Sequence, residues 1–135
     1  MITGLRPMMW TEDLQATVDF YVSKLGFTCS ELNEEWGWAS LYLDDASIMF
    51  ARPNEHTSYE KIGFTGSLYF NTDDVDRLWE QLKDKAEVCY GIENFHYGMR
   101  EFAVYDNNGY LLQFGRKSKA KGMRFRFFSE CSVAK

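Results

Sequence analysis

The sequence predicts an α+β fold of two paired βαβββ modules that form a concave, partly closed sheet. Three observations predict it. One pattern of strand, helix and three strands occurs twice along 135 residues. The two helices open on similar runs, Trp10-Thr11-Glu12-Asp13-Leu14 and Asn71-Thr72-Asp73-Asp74-Val75. Each pattern ends on two strands joined by a short polar turn. Self-similarity of this kind is the signature of an internal duplication. The expected parts are a first module at 1–51, a linker at 52–63, a second module at 64–116 and a basic-aromatic tail at 117–135.

In chain order, Leu5 to Met9 reads as the first strand. The first helix follows, with Thr11 as N-cap, acids in the first turn, and Leu14, Val18, Tyr21 and Leu25 on one apolar face. Gly26 supplies a left-handed stop. Strands are expected at Phe27 to Glu31, Trp36 to Leu43 and Ala46 to Ala51, with Asp44-Asp45 as a turn. The second module repeats this: a strand at Thr65 to Phe70, a helix with Thr72 as N-cap and Val75, Leu78, Trp79 and Leu82 facing inward, then strands at Glu87 to Gly91, Met99 to Tyr105 and Tyr110 to Phe114. Asp106-Asn107-Asn108-Gly109 joins the last two, because these residue types tolerate tight turns and positive φ.

Period-2 alternation divides each strand into two faces. Leu41, Ile48, Phe50, Phe102, Val104 and Leu112 belong to the helix side. The other face holds Arg6, Trp36, Trp38, Tyr42, Met49, Ser67, Tyr69, Asn71, Met99, Glu101 and Gln113. It is too polar for a dry core and too aromatic for an ordinary wet surface, and reads as the lining of a cleft. A sheet face covered by a second chain has the same composition. Glu101 on this face would serve as a base if buried, but an exposed or ion-paired Glu is the expected state.

Composition narrows the function. Residues 1–115 hold 8 Lys+Arg against 19 Asp+Glu, while residues 116–135 hold 7 against 1. An acidic body disfavours nucleic acid and favours cationic ligands. No apolar run approaches the roughly 18 residues of a membrane span, and no signal peptide is evident. Cys29, Cys89 and Cys131 lack metal or disulfide spacing and are expected to be reduced thiols of a cytoplasmic protein. Nucleotide-binding and nucleophile-elbow motifs are absent. The tail, with Met123-Arg124-Phe125-Arg126-Phe127-Phe128, fits neither module; docking on the acidic body, an added strand, a partner contact and a segment foreign to the fold all remain open.

The closing stretch REFAVYDNNGYLLQFG, residues 100–115, together with the run from Asp13 to Phe27, resembles the vicinal oxygen chelate superfamily. This superfamily includes glyoxalase I, extradiol dioxygenases and bleomycin-resistance proteins, and the resemblance covers about residues 3–116. It implies the glyoxalase/bleomycin-resistance fold. Metal-using members place ligands on the first and last strands of each module, and those slots fall here at Arg6, Met49, Ser67 and Gln113. None suits a divalent ion: Arg has no lone pair to offer, Met is soft, and Ser and Gln are weak neutral donors. This departure from the family's ligand pattern implies no metal and no cofactor, and it weighs against catalysis without deciding it. The resemblance points to a homodimer that binds and sequesters a small or mid-sized aromatic or cationic compound, as bleomycin-resistance proteins do. Trp36, Trp38 and Tyr42 would stack on the ligand, Tyr69 and Met49 would form a floor, Arg6, Ser67 and Gln113 would add polar contacts, and Phe95-His96-Tyr97 would gate the cleft. The alternatives are a metal-dependent lyase, isomerase or dioxygenase of the same superfamily, and a non-enzymatic scaffold for protein contacts.

Overall fold

The computed structural model describes residues 1–56 and 58–118. The tail interactions expected beyond Ser118, and Cys131, lie outside the described residues. The elements follow the predicted order: β1 (Met8–Trp10), α1 (Leu14–Ser23), β2 (Thr28–Asn33), β3 (Trp38–Leu43), β4 (Ala46–Ala51), β5 (Leu68–Asn71), α2 (Val75–Leu82), β6 (Glu87–Asn94), β7 (Met99–Tyr105) and β8 (Leu111–Lys117). They fall into two units. The first comprises Met1–Gly66 with Tyr105–Tyr110, so it takes in the tip of the β7–β8 hairpin; the second comprises Ser67–Val104 and the described residues from Leu111 onward.

Each unit has one four-stranded sheet, ordered β1-β4-β3-β2 in the first and β5-β8-β7-β6 in the second. In both, the strand before the helix runs parallel to the last strand, with Met8 opposite Met49 and Tyr69 opposite Gln113. The expected closure is corrected here. Among the described residues both sheets are open, because four strands are too few to curl back onto themselves and each has two edge strands without a further partner there.

The helix N-caps lie two residues later than predicted. The N-caps are Asp13 and Asp74, whose carboxylates accept from Ala16 N at 3.0 Å and Arg77 N at 3.3 Å. Thr11 and Thr72 sit two residues earlier and accept from the backbone N–H of those Asp residues, at 3.2 and 3.1 Å. The Thr-x-Asp device thus occurs once per module, and the Asp takes the cap because its side chain reaches the helix's unpaired N–H groups. Gly26 (φ +84°) ends the turn after α1 as expected.

In the first unit the core side of the sheet consists of Met9, Ala39, Leu41, Ile48 and Phe50, all buried, against Leu14, Val18 and Tyr21 of α1. Tyr21 is ringed by Phe20, Phe27 and Phe50 at centroid distances of 5.7, 5.3 and 4.9 Å. In the second unit Phe102, Val104, Leu112 and Phe114 are buried, with Phe114 stacked between Phe70 and Phe102 at 4.9 and 5.2 Å. Each such side chain contributes about 1.5–3 kcal/mol on burial.

Three strand starts differ from expectation by two residues or more, and in one of them β5 begins at Leu68 rather than Thr65, so that Ser67 lies just before the strand. Leu5 is almost fully exposed, and β1 begins at Met8. Trp36 lies outside β3: Gly37 takes φ +69° and donates to Asn33 O at 2.8 Å, closing a turn before Trp38. An L-residue strains at that φ, so the strand cannot extend through it.

Candidate functional site

The second unit carries the most structured polar group on the outer sheet face. Glu101 lies on β7, a strand buried on both sides: Phe102 and Val104 face the core, while Glu101 and Ala103 face the other way at 1% and 0% exposure. Two phenols hold its carboxylate. Tyr69 Oη of β5 donates to Oε1 at 2.9 Å, and Tyr90 Oη of β6 donates to Oε2 in a short bond. Gln113 of β8 extends the chain: its Nε2 donates to Tyr90 Oη at 2.9 Å, and its Oε1 accepts from Ser67 Oγ at 2.6 Å. Both ends of the amide are engaged, so its orientation is set by the network.

This arrangement depends on Gly115. A Cβ there would stand 2.9 Å from Glu101 Cβ and would collide with the Tyr69 hydroxyl. A side chain at 115 would push the two groups apart; its absence lets Tyr69 reach across to Glu101.

Beside the network opens a cavity of about 630 Å³, lined by Tyr69, Tyr97, Met99 and Glu101 and also by Asn71, Thr72, Gly115, Arg116 and Lys117. Tyr69 and Tyr97 are each about two-fifths exposed and present ring surface to it. Tyr97 comes from the four-residue connection between β6 and β7. That connection is a hydrogen-bonded turn, with Phe95 N donating to Met99 O at 2.8 Å and Gly98 N to Phe95 O at 3.1 Å, and with the Phe95 and Tyr97 rings stacked at 5.5 Å. On the margin, Asp76 of α2 binds Arg100 at 2.7 Å and lies 3.8 Å from Arg116.

Burial, then the nearby Glu101 carboxylate, holds all three cavity phenols in the neutral form. Tyr97 is pushed up to about 12, and Tyr69 and Tyr90 still higher. Desolvation and a neighbouring anion act in the same direction on a phenol. Hydrogen bonding by Arg100 keeps Asp76 below the usual carboxylate range.

The structure sorts the predicted residues by unit. Ser67, Tyr69 and Gln113 come together in the second unit, in one network, and Tyr97 of the expected gating loop lines the adjoining cavity; Phe95 and His96 pack against Tyr97 in the turn. Arg6, Trp36, Trp38, Tyr42 and Met49 belong to the first unit. There Arg6 donates to Ser40 Oγ at 3.1 Å, Met49 is half-buried on β4, and Trp38 and Tyr42 share a face of β3. Trp36 is corrected: it stands 76% exposed on the turn before β3, so strand alternation does not align it with Trp38.

Glu101, Tyr90 and Gly115 were missed as site residues. Alternation does place Glu101 on the outer face, but the expectation that it is exposed or ion-paired is overturned by its burial and its phenol partners. Among the described residues no three His, Cys, Asp or Glu side chains gather as a metal-binding group. The two ligand slots of the second unit hold Ser67 and Gln113, which bond to each other and offer neutral oxygens. These donors do not fit a divalent ion. No helix among the described residues is long and apolar enough to cross a membrane.

The family model for the Glyoxalase/Bleomycin resistance protein/Dioxygenase superfamily matches residues 5–114. A glyoxalase/bleomycin resistance protein/dioxygenase from Nocardioides superposes with TM-score 0.73 at 17% identity, over 93% of this chain and 91% of its own. A protein of unknown function from Agrobacterium tumefaciens superposes with TM-score 0.71 at 19% identity, over 87% of this chain and 95% of its own. A third, named as the Nocardioides protein is but from Alicyclobacillus acidocaldarius, gives TM-score 0.66 at 16% identity, over 82% and 87%. At these identities the likeness is one of fold. No curated protein matches the chain.

Proposed function

The chain belongs to the Glyoxalase/Bleomycin resistance protein/Dioxygenase superfamily, and we propose that within it this protein binds and sequesters a small or mid-sized aromatic compound carrying positive charge, without a metal and without turning it over. The observation that carries this reading is the cavity of about 630 Å³ walled by the Tyr69 and Tyr97 rings, the Met99 thioether and the buried Glu101 carboxylate. Its size suits a drug-sized molecule. Ring faces stack on flat ligands and attract cations, and a thioether adapts to irregular apolar outlines. The acidic balance of residues 1–115 raises the local concentration of cations in the same direction. A homodimeric state and a cytoplasmic location belong to the same proposal; the open sheet edges in each unit support the first, since an unpaired edge invites a second copy.

The test is a thermal-shift and calorimetric screen with bleomycin and a set of smaller flat cations, on the native chain and on Tyr69→Ala. A ligand at 100 times its Kd adds about 2.7 kcal/mol of stability. We expect at least one compound to reach that shift and to lose tenfold or more in affinity in Tyr69→Ala. No shift from any compound, or equal binding by Tyr69→Ala, would overturn the reading.

A further inference from the structure

Glu101 is a buried carboxylate without a cation. It is 1% exposed, and none of the ion pairs among the described residues includes it; it accepts from the neutral phenols of Tyr69 and Tyr90, and the Tyr97 hydroxyl is a third neutral phenol beside it. Removing a carboxylate from water is costly, and buried charges in proteins are ordinarily paired with a cation or a metal. Two phenol donors fill about half of the four or so lone-pair sites that a carboxylate offers. Among the described residues no cation pairs with it, and Glu101 lines the cavity from which one would enter.

The phenol protons also give this wall a direction. Tyr69 spends its only O–H on Glu101, so the oxygen it presents to the cavity can only accept. Tyr90 likewise donates to Glu101, and its oxygen already accepts from Gln113. The Tyr69 oxygen and the Glu101 carboxylate thus form an acceptor patch backed by a negative charge, in a cavity whose other polar lining groups, Asn71, Thr72 and the Tyr97 hydroxyl, can donate. A ligand group on that patch must bring N–H donors, and a charged donor gains most. Arg116 and Lys117 also line this cavity and put positive charge on another part of it. A cation seated on the wall therefore leaves its far end among basic groups, which favours a neutral or acidic far end.

We infer that Glu101, with the Tyr69 oxygen in front of it, is the anchor for a planar cationic head group of the amidinium or guanidinium class, borne on an aromatic ring that stacks against Tyr97. This rests on the binding function proposed above and names the ligand chemistry that the cavity selects. A planar fork of N–H donors can reach the Tyr69 oxygen and Glu101 together, which a single ammonium does less well. Tyr90, Gln113 and Ser67 position the carboxylate from behind.

The experiment uses a matched pair, naphthalene-2-carboxamidine and naphthalene-2-carboxamide, which share shape and differ in charge. Isothermal calorimetry at neutral pH gives both affinities for the native chain, Glu101→Gln and Tyr69→Phe, with each variant's melting curve as a check on folding. We expect the native chain to prefer the amidine at least tenfold. Glu101→Gln should bring the two within about twofold, mostly by weakening the amidine. Tyr69→Phe keeps the ring and removes the acceptor, so it should weaken the amidine and leave the amide unchanged. Equal native affinity for the pair, or a preference that survives Glu101→Gln, would overturn the anchor while leaving aromatic binding standing. Binding of neither compound would overturn both. If Glu101→Gln fails to fold, the native preference and its loss in Tyr69→Phe decide the matter.

Discussion

Replacing Tyr21 by Phe should destabilise the first unit, and by an amount that depends on pH. Tyr21 is fully buried, and its hydroxyl donates to Asp106 Oδ2 at 2.8 Å. The other oxygen of Asp106 accepts from Asn108 N at 2.8 Å and Tyr110 N at 2.9 Å, holding the hairpin tip in shape. Burial raises the Asp106 carboxyl above its usual range, and the Tyr21 bond pulls it partly back. An acid whose folded pKa is raised contributes stability that is present below its unfolded value, near 4, and is lost as pH climbs through the folded value. Without Tyr21 that rise is larger, so more stability is lost at neutral pH. At pH 7 the deleted bond is charge-assisted, costing about 1.5–3 kcal/mol, or roughly 5–11 °C in Tm for a chain of this size. At about pH 3, below the usual Asp range, a carboxyl whose folded value is raised is largely protonated, and only a neutral bond worth about 0.5–1.5 kcal/mol is lost. Urea unfolding of both proteins at the two pH values gives the difference directly. An equal cost at both, or none at pH 7, would refute the idea that Tyr21 compensates a buried charge.

The caps Asp13 and Asp74 belong to different units, so Asp13→Ala and Asp74→Ala should each cost about 0.5–2 kcal/mol and add within roughly 0.5 in the double variant, measured by urea unfolding. Gly115→Ala should cost about 1–3 kcal/mol by overpacking and should weaken any ligand of the cavity, since the new methyl meets Tyr69 and Glu101. Tyrosinate absorbance should show Tyr97 titrating near 12, with Tyr69 and Tyr90 later, and Glu101→Gln should move all three toward the ordinary value. These raised phenols contribute stability that is held below about pH 10 and lost above it as the folded values are reached; unchanged midpoints in Glu101→Gln would contradict their coupling to its charge. Trp36→Ala, at an exposed turn, should change stability by less than about 0.5 kcal/mol.

Local signals made much of the fold legible. The β7–β8 hairpin could be placed because its turn chemistry and alternation agree within a few residues, and Asp44-Asp45 marks the β3–β4 turn in the same way. The helix faces followed from 3.6-residue spacing: Leu14, Val18, Tyr21 and Leu25 are all buried. What failed was decided at longer range or at a single backbone angle. Trp36 has strand composition, but Gly37 at positive φ cuts it off from β3. Thr11 and Thr72 are competent N-caps, yet in each module the Asp two residues on takes the position. Parity assigned Glu101 to the outer face, but its burial depends on Tyr69, 32 residues away, and on the space left by Gly115. A one-dimensional pattern gives a side chain's direction and says nothing of what stands opposite.

The comparison of the two modules gives the site its meaning. Both carry the Thr-x-Asp cap, the same strand order and the same parallel pair between first and last strand. Near the start of that pairing the first module has Met8 opposite Met49, and the second has Tyr69 opposite Gln113. A thioether pair needs no partners and imposes no direction. A phenol and an amide must have theirs satisfied once partly buried, and here each is, through Glu101, Tyr90 and Ser67. A fold needs only the apolar inner face to be maintained, and both modules maintain it. A buried carboxylate with phenols on its outer face adds desolvation cost that the frame does not require, since the first module is built the same way without one. That cost is accounted for if the group meets a charge from outside the chain, as the proposed anchor in the second module requires.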